Sequence, residues 1–152
     1  NAQSVKLVRG IGAYLVAATG TLFNYRCPQI ELVDGDFRYA GPMTILAIHN
    51  GPTTGGGFRL CPDAMPDDGR LDATLVMETG VSSRLAALSH AMRGTLGTKP
   101  FTREVSFRRL ELRCDERLPF HWDGNPGYLE PPGTTFEVLP AALEVVVPAT
   151  SP

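Results

Sequence analysis

His49-Asn50-Gly51-Pro52-Thr53-Thr54-Gly55-Gly56-Gly57-Phe58-Arg59-Leu60-Cys61-Pro62-Asp63-Ala64, continued by Met65-Pro66-Asp67-Asp68-Gly69-Arg70-Leu71-Asp72, is the stretch whose reading decides the fold. The apolar run 45–48 leads into it and the run 73–77 leads out. Three consecutive glycines cost backbone entropy and offer no side chain to pack, so they mark close backbone approach or unusual dihedrals. The pattern predicts a buried strand over 43–49, a glycine-rich loop, a Pro- and Asp-rich turn over 62–70, and a second strand over 71–78. No Gly-Lys-Ser/Thr follows the glycines, so the loop is not a Walker A phosphate loop. Two readings of Gly55, Gly56 and Gly57 stay open: an anion-binding nest of backbone N–H groups, or a tight loop at a domain interface.

Working outward, residues 5–23 read as an amphipathic helix, with Val8, Ile11, Leu15, Ala18 and Leu22 at three- and four-residue spacing. Gly10, Gly12 and Gly20 weaken it or let another element approach closely. Residues 29–33 and 37–39 flank Asp34-Gly35-Asp36, a hairpin signal. Residues 81–93 are expected to be a second helix, capped by Ser82 or Ser83, with Leu85, Leu88 and Met92 on one apolar face. Residues 104–113 read as one strand with a bulge, because Val105 and Phe107 alternate in one phase and Leu110 and Leu112 in the other. Strands over 118–122, 134–139 and 143–147 close the list, with Asp123-Gly124-Asn125-Pro126-Gly127 as a turn. The sum is a mostly β (α+β) single domain over residues 1–152, an antiparallel β-sandwich with two flanking helices.

Composition sets the bounds. A length of 152 residues supports one real core, and 43% hydrophobic with 20% charged residues is ordinary for a globular domain. Gly 16 and Pro 13 favour many turns and short strands. A net charge of -2 gives no bulk attraction to nucleic acid or anionic lipid, so no nucleic-acid partner is expected. Cys27, Cys61 and Cys114 form no Cys-x-x-Cys pair, and an odd count points to a reducing, cytoplasmic setting. Cys61 follows the glycine-rich loop, and a packed thiol is the reading preferred over a reactive one. Residues 11–22, the longest apolar stretch, contain Gly12, Thr19, Gly20 and Thr21 and are too short to span a bilayer.

The order of three blocks resembles the C-terminal domain of the diacylglycerol kinase family, which includes sphingosine and ceramide lipid kinases. Its pattern of N-G-x-x-x-G-G-G, then P-x-A, then D-D-G-x-L-D is similar to residues 50–72. Pro119-Phe120-His121-Trp122-Asp123-Gly124-Asn125 resembles its P-x-x-x-D-G-E, and residues 136–148 resemble its closing strands. The resemblance implies the second domain of diacylglycerol/NAD kinase-like proteins. The implied parent reaction moves the ATP γ-phosphate onto a hydroxyl of diacylglycerol, sphingosine or a related lipid, with an apolar groove for acyl chains between the sheets. Implied partners are a lipid acceptor and the chain's own N-terminal nucleotide-binding domain. Peripheral membrane contact and a homodimer are compatible with it.

On the residues alone, Asp67-Asp68-Gly69 is first of all a turn, with Asp68 bonding its own backbone; one carboxylate with carbonyls and waters also suits Mg²⁺. The resemblance implies a structural Mg²⁺ held by the Asp68 carboxylate and the Met65 and Arg70 carbonyls. It also implies a cleft formed by Gly55, Gly56, Gly57 and Gly124, with Asp123 and the residue at position 125 as the catalytic pair. That residue is Asn125 where the family has glutamate, and an amide cannot act as general base. His49 and His121 are expected to be satisfied strand residues, His90 a surface residue, and Arg103, Arg108, Arg109, Arg113 and Arg117 a solvated strand face. No Gly-Gly-Asp-Gly-Thr nucleotide motif occurs in the sequence, so the chain alone is expected to lack kinase activity. The alternatives are a non-catalytic lipid- or protein-binding β-sandwich, favoured by Asn125, and an NAD kinase, disfavoured by the D-D-G-x-L-D match.

Overall fold

The long strand β2, Phe37–His49, organises the domain. In this computed structural model, which describes residues 25–54 and 57–146, its first half pairs with β1 (Gln29–Asp34) and its second half with β3 (Leu71–Met77). The sequence pattern places two strands here, over 37–39 and 43–49; the backbone instead continues as one strand through Gly41-Pro42. Pro42 closes the β1 ladder opposite Gln29, and the register shifts between Met43 and Ile45 as the β3 ladder begins. The Pro42 carbonyl accepts from the Glu78 N–H at 3.0 Å and the Tyr39 hydroxyl at 2.7 Å, which pins the bend. The β1–β2 turn is the expected one, closed by Asp34 opposite Phe37, with Gly35 at φ +52°.

The remaining strands extend each half antiparallel. β4 (Thr102–Phe107) joins β3, while β5 (Arg109–Cys114) joins β1 and carries β8 (Gly133–Glu137) at its far side. The order is β4-β3-β2-β1-β5-β8. The expected bulged strand over 104–113 is therefore two strands. The phase change at Arg108 is where the chain leaves one half-sheet for the other, so Phe107 and Leu110 can both face inward. Ile30, Leu32, Leu110, Leu112 and Cys114 from one half meet Met43, Ala73, Leu75 and Phe107 from the other in a single core. The halves thus close on each other as a β-sandwich-like fold. Outside the β1/β5 half, Glu31 pairs with Arg38 (3.4 Å) and Arg113 (3.2 Å), Arg113 with Glu111 (3.0 Å) and Arg109 with Glu137 (3.2 Å). These exposed pairs contribute little stability and make the arginines the solvated face expected of them.

β6 (Leu118–Trp122) and β7 (Asn125–Leu129) form a separate hairpin tied to the core by Leu118 and Leu129. Reading residues 123–127 as a turn was too generous. The turn is Asp123-Gly124 alone, at φ 47° and 83°, a pair of left-handed dihedrals that matches the twist of a two-residue hairpin. Asn125 already stands in β7, opposite Trp122.

Helix α1, Val81–Arg93, covers the outer face of the β3 half. The expected serine caps are not used: Gly80 is the N-cap without a side-chain bond, and Gly94 ends the helix at φ 68° with Thr95 N–H bonding His90 O at 2.9 Å. Its packed face is also different from the expected one. Ala87 and Ala91 meet Val76, Leu96 and Phe101, while Leu85, Leu88 and Met92 point outward. A small-residue face lets the helix lie close on β3, whose buried residues Ala73 to Val76 are covered on both sides. Of the two expected helices this one is described; residues 5–23 lie outside the described residues. The expected strand over 143–147 does not form in its described part. Ala141 takes φ 52° after Pro140, turning the chain away from β8, and Leu143, Val145 and Val146 are exposed.

Phe107 is fully buried where both halves meet. Phe107→Ala should cost about 3–5 kcal/mol, read as a lowered midpoint in urea unfolding.

Candidate functional site

The glycine-rich loop is pinned at its base by a two-way bridge: Thr54 N–H to Phe58 O at 2.8 Å and Phe58 N–H to Thr54 O at 3.0 Å. Gly55 and Gly56 lie outside the described residues; Gly57 has φ 99°, which a side chain would strain. The exit of the loop is fastened to the layers around it. Arg59 N–H donates to Ala91 O in the last turn of α1 at 2.8 Å, and the Thr74 hydroxyl of β3 donates to Leu60 O at 3.0 Å. A side chain at Gly94 would press on Pro62 and Arg59, so this glycine also permits the loop to sit on the helix end. The nest and the interface-loop readings of the three glycines both remain compatible with this geometry.

Cys61 is buried, with Sγ 2.8 Å from Thr74 Oγ1, and burial pushes its thiol up to about 11. It is a packed thiol, as expected. Beside it lies a cavity of about 190 Å³ lined by Cys61, Asp63, Asp72, Glu104 and Ser106 among others. Burial, then the charges of Asp63 and Asp72, hold the Glu104 carboxyl above the ordinary carboxylate range. Sequence reading missed this carboxylate group, because Asp63, Asp72 and Glu104 lie far apart in the chain and only the β3–β4 ladder brings Asp72 and Glu104 near each other. His49, opposite Asp72, has its pKa lowered by burial, partly offset by Asp72, and its buried Nε2 has no hydrogen-bond partner among the described residues. The expectation of a satisfied histidine fails there. His121 is exposed, and His90 Nδ1 lies 2.9 Å from Thr95 Oγ1.

In the Asp67-Asp68-Gly69 turn, Asp68 Oδ1 accepts the Arg70 N–H at 2.8 Å, the self-bonded turn expected of it. Arg70 is anchored further: Nε donates to Ser106 Oγ at 2.8 Å and Nη2 to the Ser106 carbonyl. A side chain at Gly69 would meet Pro140. The turn therefore presents two exposed carboxylates, Asp67 and Asp68, on a backbone fastened through Arg70. Exposed carboxylates on a turn are oxygen donors of the kind taken by a cation that keeps most of its water, as Mg²⁺ does. Among the described residues, no group of three His, Cys, Asp or Glu side chains could hold a metal.

At the hairpin tip, Asp123 and Gly124 form the turn, and Asn125 Nδ2 donates to Trp122 O at 3.4 Å. Phe120 and Trp122 stack with centroids 4.9 Å apart, their rings lying over Gly127. Arg117 stands over the Tyr128 ring at 3.7 Å and pairs with Glu130 at 2.8 Å. The expected acyl groove between the half-sheets is not there among the described residues, since Leu32, Leu75, Phe107 and Leu110 fill that space. No described helix is long and apolar enough to cross a membrane.

Residues 1–147 match the family described as the YegS C-terminal NAD kinase beta sandwich-like domain. A "Probable lipid kinase YegS-like" protein of Pseudomonas savastanoi pv. phaseolicola (strain 1448A / Race 6) is 32% identical over 150 residues, covering 99% of this chain and 48% of that protein. One of the same description from Pseudomonas putida is 30% identical over the same length. The chain thus spans about half the length of these curated relatives. Among solved structures, a diacylglycerol kinase from Bacillus anthracis str. Sterne superposes with a TM-score of 0.51 at 17% identity, over 82% of this chain and 47% of that one. A second chain from that organism gives 0.58 at 18% identity, over 80% and 41%. At such identities the likeness speaks for the fold.

The Glu104 carboxyl binds its proton more tightly folded than unfolded. Its charged form therefore weighs against the fold, a penalty absent below the unfolded pKa that grows as pH rises through the folded one. Glu104→Gln should raise the melting temperature at pH 7 and lose that advantage near about pH 3, measured by thermal melts across the range.

Proposed function

We propose, from the premise that this chain belongs to the YegS C-terminal NAD kinase beta sandwich-like domain family, that it is the acceptor-side domain of an ATP-dependent lipid kinase. The parent reaction is transfer of the ATP γ-phosphate to a hydroxyl of diacylglycerol, sphingosine or a related lipid. The observation that carries this reading is the alignment of nearly the whole chain with half of proteins described as probable lipid kinases. The geometry supports it in a second way. The glycine-rich loop is bridged at its base, the Asp68 turn is closed by its own carboxylate, the Asp123-Gly124 tip ends the β6–β7 ladder, and Gly57, Asp68, Asp123 and Gly124 are exposed.

In this reading the nucleotide is bound mainly by a separate N-terminal domain, because phosphoryl transfer needs phosphate-positioning and metal-clamping groups that the sequence does not contain. Mg²⁺ at the Asp68 turn, with Met65 and Arg70 carbonyls, is structural: it would neutralise the carboxylate and stiffen the turn. Asn125 is turned back onto the Trp122 carbonyl and holds the hairpin end together. Asp123, two residues earlier and exposed, is the carboxylate left at the tip to take the acceptor proton. The alternative is a lipid- or protein-binding β-sandwich without catalysis, and the inward-bonded amide of Asn125 is the observation that favours it.

The test uses the chain joined to an N-terminal nucleotide domain of a family member, with labelled ATP, Mg²⁺ and lipid micelles. Turnover is expected in the joined protein and not in this chain alone. Asp123→Ala should then lower kcat by about 10²-fold or more, and Asn125→Glu should raise it. No turnover with any lipid hydroxyl favours the binding module.

Mg²⁺ that binds only the folded state stabilises it by mass action. The melting temperature should rise with millimolar Mg²⁺ in the unaltered chain and stay unchanged in Asp68→Ala.

A further inference from the structure

Residues 79–103 contain Arg84, Arg93, Lys99 and Arg103 and no Asp or Glu, in a chain whose net charge is -2. This segment holds α1, so positive charge gathers on one part of an otherwise acidic domain. Arg84 turns inward and donates to the Tyr25 carbonyl at 3.3 Å. Arg93 and Lys99 collect at the C-terminal end of the helix. The His90 pKa is lowered by desolvation and then by the charges of Lys99 and Arg93, which places those three groups together. Arg59 joins them, since a side chain at Gly94 would press on its Cβ and Nε. The negative end of the helix favours the cations of its last turn, His90 and Arg93, but Arg59 and Lys99 come from outside the helix. No ion pair among the described residues involves Arg59, Arg93 or Lys99, whereas Arg38, Arg109, Arg113 and Arg117 each have a carboxylate partner.

The same helix turns its larger apolar residues outward. Leu85, Leu88 and Met92 are 42%, 49% and 62% exposed and, spaced by three and four residues, form one stripe. Ala87 and Ala91 make the face packed on the sheet. Met92 directly precedes Arg93, so the stripe ends among the cations. This surface is small for a protein partner: α1 is about 20 Å long, and its stripe falls well short of the roughly 800 Å² a side of a stable protein interface. An anionic bilayer asks for no matching shape. It takes the apolar face of an amphipathic helix into its interface and Lys and Arg among its headgroups.

We propose that the outward face of α1 docks on an anionic lipid bilayer, with Leu85, Leu88 and Met92 in the interface and Arg59, Arg93 and Lys99 against the headgroups. Helix α1 then lies in the plane of the surface and anchors the domain there. The bulk charge of the chain does not steer it to such a surface; the local patch does. Docking needs neither ATP nor a second domain, so it stands or falls apart from the kinase proposal.

The experiment is sedimentation of the full 152-residue chain with phosphatidylcholine vesicles, with and without phosphatidylglycerol, joined to amide hydrogen exchange of residues 81–93 on the vesicles. Binding is expected only with phosphatidylglycerol, with slowed exchange in α1, and it should weaken as added salt screens the headgroup charge. Leu88→Asp should weaken binding about tenfold by removing apolar area, and Arg93→Glu about tenfold by reversing a charge at the headgroups. Arg109→Glu, which changes the net charge equally on β5, should bind as the unaltered chain does. If Leu88→Asp fails to fold, Leu88→Ser and Met92→Ser test the stripe. A chain that stays in the supernatant, equal binding without phosphatidylglycerol, or Leu88→Asp or Arg93→Glu binding as well as the unaltered chain overturns the proposal. So does Arg109→Glu weakening binding as much as Arg93→Glu, or vesicle-bound chain with unchanged α1 exchange. A chain dimer that Leu88→Asp dissociates also overturns it, because a second copy then covers the face.

Discussion

One strand serving two half-sheets is the constraint on which the rest of the domain depends. β2 gives its first half to β1 and its second half to β3, and the bend between them is fixed by the Pro42 carbonyl, which accepts from both Glu78 and Tyr39. Proline has no N–H to offer a ladder, so it suits the point where one ladder ends and the next begins. The bend faces Ile30, Leu32 and Leu110 toward Ala73, Leu75 and Phe107. A straight β2 would leave those two apolar faces in one plane and exposed. The crossing at Arg108 answers the bend on the other side of the core, and Val138 N–H bonds its carbonyl at 3.0 Å.

The loops of the candidate site inherit their positions from this arrangement. β2 and β3 end side by side at His49 and Asp72, so the glycine-rich loop and the Asp68 turn both leave from one edge of the β3 half. α1 fixes the loop exit through the Ala91 carbonyl, and β4 fixes the turn through Ser106. The cavity beside Cys61 and Glu104 lies between these fastenings. The hairpin carrying Asp123 and Asn125 is tied to the core by Leu118 and Leu129.

Asn125 fits the hairpin without being dictated by its turn. Asp123-Gly124 meets the dihedral demands of the tight turn whatever follows it, and Asn125 needs only to begin a strand. Its amide then supplies a donor to the Trp122 carbonyl, which a carboxylate could not do. The hairpin end thereby carries an amide bonded inward to its own backbone.

Much of this was legible in the sequence, for a physical reason. The β1–β2 hairpin, the strands on either side of the glycines, the α1 boundaries and the self-bonded Asp68 turn are set by local dihedral and hydrogen-bond preferences, which act over a few residues. The order of Gly-rich, Asp-Asp-Gly and Asp-Gly blocks likewise identified the family, because those turns tolerate few residue types. Tertiary structure alone decided what depends on residues far apart in the chain. It made 104–113 two strands in two half-sheets, turned the alanines of α1 inward in place of its leucines, filled the space expected to hold an acyl groove, and left Val145 and Val146 without a strand partner. It also gathered Asp63, Asp72 and Glu104 at one cavity. A period-two or helical pattern states that a face is apolar; only packing states which surface that face meets.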